Sequence, residues 1–271
     1  MLQRPRRGII FDLDECIIHT MKENHYDNVE KELLVLPEYM SARQRMFSMD
    51  LKDFGVSRGT GRNNHMWGVT RPHLIEFLKF CRGYFQFIGV WSAAVTPYID
   101  NIVHSVFLDI LTPDIVYSRD MVENLSKDDY HKPITRMLND PRVVGKIDIK
   151  EVFFLDDKND NFRSSPSNGV TIPRYEPYPN YSSIMADDTS LLQFQQWLSK
   201  PEVIVSNDIR LLDKSLIFNT PTFSLYSTPI VGIPSISRMK TGYNPLFPPT
   251  PGFNTIPLFN ITPGYSSVGY T

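Results

Sequence analysis

Three stretches of the chain, GIIFDLD (8–14), FQFIGVWSAA (85–94) and EVFFLDD (151–157), run almost continuously in apolar, β-favouring residues and then stop in polar or acidic ones. Continuous rather than alternating hydrophobicity belongs to strands covered on both faces, as in a parallel sheet. Helical periodicity lies between these runs. RPHLIEFLKFCR (71–82) puts Leu74, Phe77, Leu78 and Cys81 on one face, and TPYIDNIVHSVF (96–107) does the same with Ile99, Ile102, Val103 and Val106. HKPITRML (131–138) starts a third helix, and DDTSLLQFQQWL (187–198) a fourth whose acidic N-terminus suits the helix dipole. Strands alternating with helices predict an α/β fold built on an open parallel sheet.

In such a sheet, ligands bind beyond the carboxyl ends of the strands. Asp12 and Asp14, Ser92, and Asp156 with Asp157 all fall at those ends. An unpaired buried carboxylate costs on the order of several kcal/mol, so the acids either end in solvated turns or are gathered for a purpose. The D-x-D spacing suits phosphoryl transfer: one carboxylate attacks phosphorus, and the other hands a proton to the leaving oxygen and later takes one from water. Mg²⁺ held by oxygens would relieve the repulsion between the acids and a phosphate, with Asp156 and Asp157 able to complete its shell. The Ser92 hydroxyl and the Lys132 ammonium could then bind the transferring phosphoryl oxygens.

The order Asp12-x-Asp14, Ser92, Lys132, Asp156-Asp157 resembles the four motifs of haloacid-dehalogenase (HAD)-type phosphatases. More narrowly, FDLDECIIHT, TRPHLIEFLKF, VWSAAVTPYID, VYSRDMV and FFLDD resemble the FCP/SCP-like phosphatases, over about residues 8–198 and including MADDTSLLQFQQWL. The resemblance implies a HAD-like, Rossmannoid sheet flanked by helices, without a large cap, so that an open cleft admits a peptide. It implies Mg²⁺-dependent hydrolysis of phosphoserine or phosphothreonine in proteins, RNA polymerase II tail-like peptides among them. Carried over by position, Asp12 would be the nucleophile and a metal ligand. Asp14 would be the acid/base and lend the metal its backbone carbonyl. Ser92, where the family usually has Thr, and Lys132 would hold the phosphate, and Asp156 would be the metal ligand of the last motif. Three departures accompany these matches: Cys16 replaces a Thr, Pro133 an Asp, and Asp157 an Asn. His19 and His73 also match and read as hydrogen-bonded structural residues, Cys16 as a small buried one, and Arg58, Arg62 and Arg119 as surface residues.

Lys+Arg at 28 nearly balances Asp+Glu at 30, so no global field points to nucleic acid or an anionic membrane as a direct partner. Cys16 and Cys81 are too few for a disulfide framework, and the basic start MLQRPRRGII is neither signal peptide nor membrane span, which together predict an intracellular protein of nucleus or cytoplasm, not a secreted one. The expected organisation is a phosphatase domain over 1–200 with an insertion at about 21–70. That insertion holds a short helix or strand pair and a Gly/Asn-rich loop at 54–65, forming a hairpin or flap. An irregular Pro/Thr/aromatic-rich extension follows over 201–271. From Ser215 onward the only charges are Arg238 and Lys240, and Thr-Pro dipeptides recur at Thr220, Thr228, Thr250 and Thr262. They resemble proline-directed phosphosites. The arm is expected to dock on its own domain or mimic substrate, with partner binding or self-association as the alternative. Two rival functions stand beside the phosphoprotein phosphatase: a phosphatase of nucleic-acid 3′-phosphates or small phosphomonoesters, and a catalytically weak phosphoprotein-binding module.

Overall fold

The first apolar run becomes the central strand of a five-stranded sheet. The structure, a computed structural model, describes residues 6–22, 27–53, 58–119, 131–177 and 181–218. The chain divides into two units, Met1–Phe223 and Ser224–Thr271, and every described residue lies in the first. In chain order the elements are β1 (Gly8–Phe11), β2 (Ile18–Lys22), α1 (Asp27–Val35), α2 (Met40–Arg43), β3 (Met46–Lys52), β4 (Asn63–Thr70), α3 (Leu74–Tyr84) and β5 (Phe87–Trp91). They continue as α4 (Thr96–Ile102), β6 (Ile115–Tyr117), α5 (Ile134–Leu138), β7 (Val152–Asp156), β8 (Gly169–Thr171), α6 (Tyr181–Met185), α7 (Ser190–Leu198) and α8 (Pro201–Val205).

The main sheet has the order β6-β5-β1-β7-β8 with every pair parallel, as expected for an α/β fold. Both faces are covered. Ile9, Phe11, Val90, Phe153 and Leu155 pack on one side with the apolar stripes of α3 and α7, while Ile10, Phe87, Trp91, Val152 and Phe154 pack on the other with Ile134 and Met137 of α5. That two-sided burial is why the strands read as unbroken apolar runs. The chain leaves β1 toward β5 on one side and reaches β7 on the other, so the strand order reverses beside β1. A crevice opens at such a switch point, beyond the strands' carboxyl ends.

The predicted helices form with later starts or altered ends. Leu74, Phe77, Leu78 and Cys81 are all buried on α3. The 96–107 helix becomes α4 followed by a π-helical turn, Val103–Phe107. The helix expected from 131 begins only at Ile134 because Pro133 holds extended backbone at its N-cap. The edge strands β6 and β8, of three residues each, were not anticipated; they are too short to carry a period.

The stretch expected as an insertion, about 21–70, falls on the elements from β2 to β4. It is an antiparallel sheet of order β2-β4-β3, and β3 and β4 form a hairpin. Asn63–His65, read as loop, belong to β4; residues 54–57 lie outside the described ones. Its small core of Met21, Leu33, Ala42, Trp67 and Val69 includes Tyr175 and Ile184 from beyond β8, which fastens it to the main body. Among the described residues no helix is long and apolar enough to cross a membrane.

Packing continues past residue 200, where the boundary was expected. Val203, Ile209 and Ile217 are buried in the main core, and the Arg7 guanidinium at the start of β1 donates to the Val203 carbonyl at 3.1 Å. The Thr-Pro dipeptides of the arm lie outside the described residues. Ile209→Ala and Ile217→Ala should each lower the unfolding free energy by about 2–5 kcal/mol, as large-to-small core changes do. Urea denaturation measures this, and losses below about 0.5 kcal/mol would remove the segment from the core.

Candidate active site

The D-x-D loop is held by its own turn and by one buried arginine. The Asp12 amide donates to the Leu155 carbonyl at 2.9 Å, and the amides of Cys16, Ile17 and Ile18 then converge on the Leu13 carbonyl at 3.3, 3.0 and 3.2 Å. This tight reversal puts Glu15 at φ 61°, a left-handed conformation costing about 1–2 kcal/mol for a residue with a β-carbon. Two bonds offset it: His19 Nδ1 to Glu15 Oε2 at 2.8 Å and the Tyr175 amide to the Glu15 carbonyl at 2.7 Å. His19 is thus hydrogen-bonded, as is His73, whose Nε2 lies 3.0 Å from Asp187 Oδ1. The fully buried Cys16 Sγ lies 3.7 Å from the Leu155 carbonyl, and burial pushes its thiol well above the usual value.

Arg71 went unnoticed in the sequence. It is 0 % exposed; its Nη1 donates to the Cys16 carbonyl at 2.8 Å, its Nη2 to the Pro173 carbonyl at 2.7 Å, and its fork grips Asp188 at 3.0 and 2.7 Å. One guanidinium therefore ties the D-x-D loop to the segment after β8 and to the start of α7. Burial alone would raise the Asp188 carboxyl, but its bonds and attraction to Arg71 hold it below the usual value.

Two sequence-predicted carboxylates meet at Lys132. Its Nζ donates to Asp12 Oδ1 at 2.5 Å and to Asp156 Oδ2 at 2.8 Å, with the lysine side chain 2 % exposed. Burial alone would lower its pKa, yet Asp12 and Asp156 outweigh burial and raise it, so the ammonium stays charged. Asp12 is pushed well up by burial, with Asp156 and Asp14 adding to the push and Lys132 pulling against it. Asp12 and Asp156 share this lysine, while Asp14 and Asp157 find their hydrogen-bond donors elsewhere.

Ser92, 1 % exposed, directs its Oγ to Asp14 Oδ2 at 3.4 Å. The buried Tyr98 hydroxyl donates to Asp14 Oδ1 and lies 3.0 Å from Thr20 Oγ1. Burial first, and Glu15 with it, raises the Asp14 carboxyl above the usual range, while the Tyr98 bond pulls it back. Tyr98 lies in the helical stretch 96–107 but outside the apolar stripe read from it, and its hydroxyl gave no separate signal.

Asp156, expected as a metal ligand, is hydrogen-bonded at both carboxylate oxygens. Its Oδ1 accepts from the Lys158 amide at 2.9 Å and Asn161 Nδ2 at 2.8 Å, while its Oδ2 accepts from Lys132 and, at 2.9 Å, from Asn161 Nδ2. A carboxylate has about four accepting positions, so Asp156 is spent on its neighbours. Asn161 stays in place partly because Gly169 leaves room for the ring of Phe162; a β-carbon there would meet that ring at 2.1 Å. Asp157 instead lines the cleft. Its Oδ2 accepts from Arg174 Nη1 at 2.8 Å, and burial followed by the Asp156 charge raises its carboxyl.

The resulting cleft has a volume of about 540 Å³ and is lined by Asp12, Asp14, Ser92, Lys132 and Asp157. Its wall also carries His131, Lys158 and Arg163, which no motif announced. Asp12, Asp156 and Asp157 offer carboxylate oxygens within 4.8 Å of one another. An all-oxygen donor set suits a hard cation such as Mg²⁺, and Asp12 and Asp157 are the members of that set that face the cleft.

Residues 8–210 match the family described as NLI interacting factor-like phosphatase. The chain belongs to that family. NLI interacting factor-like phosphatases are FCP/SCP-type members of the HAD group, hydrolases of phosphate esters. No curated protein sequence matches the chain. Among solved structures it is similar to one described as Fcp1, an essential RNA polymerase II CTD phosphatase, with TM-score 0.50 and 20% identity over 74% of this chain and 58% of that one. An Arg→Ala variant of fission yeast Fcp1 bound to beryllium fluoride gives 0.49 and 21% over 63% and 42%. A HAD-superfamily hydrolase from Geobacter sulfurreducens PCA gives 0.33 and 12% over 60% and 83%. The likeness at 0.50 concerns the fold, and the chain spans about half the length of the two Fcp1 chains.

A prediction follows from the Tyr98 contact. Asp14 has its pKa raised above 3.8, so its contribution to stability is present below that value and lost as pH rises through the elevated one. Removing a donor that favours the carboxylate should push the value up again. In Tyr98→Phe, the Asp14 side-chain carbon followed by NMR should titrate at higher pH than in the parent protein. A lower or unchanged midpoint would show that Tyr98 does not support the carboxylate.

Proposed function

We propose that this chain is a Mg²⁺-dependent phosphoprotein phosphatase that hydrolyses phosphoserine or phosphothreonine through an aspartyl-phosphate on Asp12. The observation that carries the reading is the buried Lys132 ammonium bridging Asp12 at 2.5 Å and Asp156 at 2.8 Å at the floor of a cleft shared with Asp14, Ser92 and Asp157. A structural ion pair would have no need of a cleft, a second D-x-D carboxylate and a buried hydroxyl at the same strand ends.

The chemistry follows from the positions. An Asp12 oxygen attacks phosphorus, and the ester P–O bond breaks as Asp14 gives its proton to the leaving serine or threonine oxygen. Asp14 then accepts a proton from the water that attacks phospho-Asp12, the P–O(Asp12) bond breaks, and inorganic phosphate leaves. The raised pKa of Asp14 supports its starting as the acid. Lys132 Nζ and Ser92 Oγ would hold phosphoryl oxygens, where catalysis of this reaction chiefly resides. Bound Mg²⁺ would neutralise charge between the phosphoryl group and Asp12, held by Asp12, the Asp14 carbonyl and Asp157. Asp156, expected as its ligand, serves instead to fix Lys132 and Asn161.

Three features support a protein substrate: the openness of the cleft, the exposed Lys158 and Arg163 along its wall, and relatives described as RNA polymerase II CTD phosphatases. Phosphorylated tail-like peptides inside the cell, in nucleus or cytoplasm, are the candidate partners. Kinetics on phosphoserine peptides, a 3′-phosphorylated oligonucleotide and an aryl phosphate, with and without Mg²⁺, test the reading. The expected result is Mg²⁺-dependent turnover with the peptides preferred, and a loss of at least about 10³-fold in Asp12→Asn, as for removal of a nucleophile. Preference for the oligonucleotide would move the enzyme to nucleic-acid ends. Equal, negligible turnover by both proteins would leave a binding module.

A further inference from the structure

We infer that Arg174 is a positioning residue for the divalent cation: it holds one oxygen of Asp157 and thereby turns the other toward Asp12. The inference rests on the reading above that Asp12 and Asp157 hold the cation.

Arg174 sits on a pinned piece of backbone. The Ile172 amide before it donates to the Asp156 carbonyl at 3.1 Å, and the Tyr175 amide after it donates to the Glu15 carbonyl at 2.7 Å. Between them the Pro173 carbonyl accepts from buried Arg71 at 2.7 Å. The arginine thus springs from a segment fixed to both acidic loops, D-x-D on one side and Asp156-Asp157 on the other. Its fork is occupied at both edges: Nη1 donates to Asp157 Oδ2 at 2.8 Å and Nε to Glu176 Oε2 at 2.9 Å. Glu176 sets the angle of the guanidinium, and the guanidinium sets the angle of Asp157.

Asp157 needs such a holder because two clefts flank it. Besides the cleft shared with Asp12, it lines a second groove of about 560 Å³ with Thr171, Arg174 itself, Lys214 and Phe218. A carboxylate free to rotate could swing toward that groove and leave Asp12. The Asp157 side chain is 3 % exposed while that of Arg174 is 43 % exposed. The ligand is therefore sheltered, while the charge of its holder faces water and is further offset by Glu176. Repulsion between Arg174 and a cation is accordingly screened, and orientation is the larger effect. Hydrogen bonds to the non-ligating atoms of a ligand set typically change metal affinity by about 10–100-fold.

The test titrates Mn²⁺ alone into the full-length chain, read by electron paramagnetic resonance, with Asp157→Ala, which removes the side-chain oxygens, as the control that marks the site. Arg174→Met should weaken Mn²⁺ binding by about 10-fold. Arg174→Lys, which keeps one donor for Oδ2, should recover most of that loss. Glu176→Gln, on the exposed partner, should weaken binding in the same direction by a smaller factor and keeps the idea testable if Arg174→Met unfolds. Thermal unfolding in chelator, where only a structural role would register, should be alike in parent, Arg174→Lys and Glu176→Gln. Parent-like affinity in both Arg174→Met and Glu176→Gln overturns the inference. Tighter binding in Arg174→Met also overturns it, because the arginine would then compete with the cation. If the parent chain binds no Mn²⁺ that Asp157→Ala abolishes, the cation reading falls and this inference with it. Normal parent binding with unaffected variants sinks the inference alone.

Discussion

The site depends on one ammonium group placed between two carboxylates. Lys132 lies just before a short helix, outside the sheet, yet its Nζ reaches the ends of β1 and β7 together. Without it, Asp12 and Asp156 would be like charges buried at adjacent strand ends, an arrangement that low-dielectric surroundings penalise heavily. With it, burial is tolerable, the lysine remains charged, and the nucleophile candidate has a fixed cation where phosphoryl oxygens would lie. The cost of burying Lys132 is met by hydrogen bonds on both sides rather than by solvent, which makes it a poor candidate for an incidental surface contact.

Around this pair the protein invests in rigidity. Arg71 ties the D-x-D loop to the segment after β8, Asn161 donates to both oxygens of Asp156, and Glu15 is held in a left-handed turn by His19 and Tyr175. Each of these restrains backbone or side chain at an acid without itself lining up as a nucleophile or proton donor. Such sites work by preorganisation: groups aimed in advance at developing charge need no rearrangement during reaction. The same logic extends to Arg174, whose two carboxylate partners fix its fork beside Asp157.

Much of this was legible in the sequence because burial leaves a periodic trace. The strands around Ile9, Val90 and Phe153 and the stripe Leu74, Phe77, Leu78, Cys81 emerged from hydrophobicity alone, and the acids at strand ends stood out as charge where none should be buried. Lys132 and Ser92 came instead from the order of motifs, since an isolated lysine or serine carries no period. The remainder depended on three-dimensional contacts that spacing does not encode. Arg71 and Asp188 are far apart in the chain, Tyr98 looks like an ordinary core aromatic, and β6 and β8 are too short to read. The different surroundings of Asp156 and Asp157 were invisible for the same reason: adjacent identical residues differ only in what their side chains face. Composition changes after about residue 200, yet Ile209 and Ile217 still pack in the core, because a few buried side chains leave little mark on composition.

The most direct test of the account is a crystal structure of the protein with Mg²⁺ and beryllium fluoride. Beryllium should sit on the Asp12 carboxylate with fluorine atoms against Lys132 Nζ and Ser92 Oγ, and the cation should be shared by Asp12 and Asp157 while Asp156 stays bonded to Lys132. A fluoride group bound away from Asp12, or Lys132 turned out of contact with both Asp12 and Asp156, would contradict it.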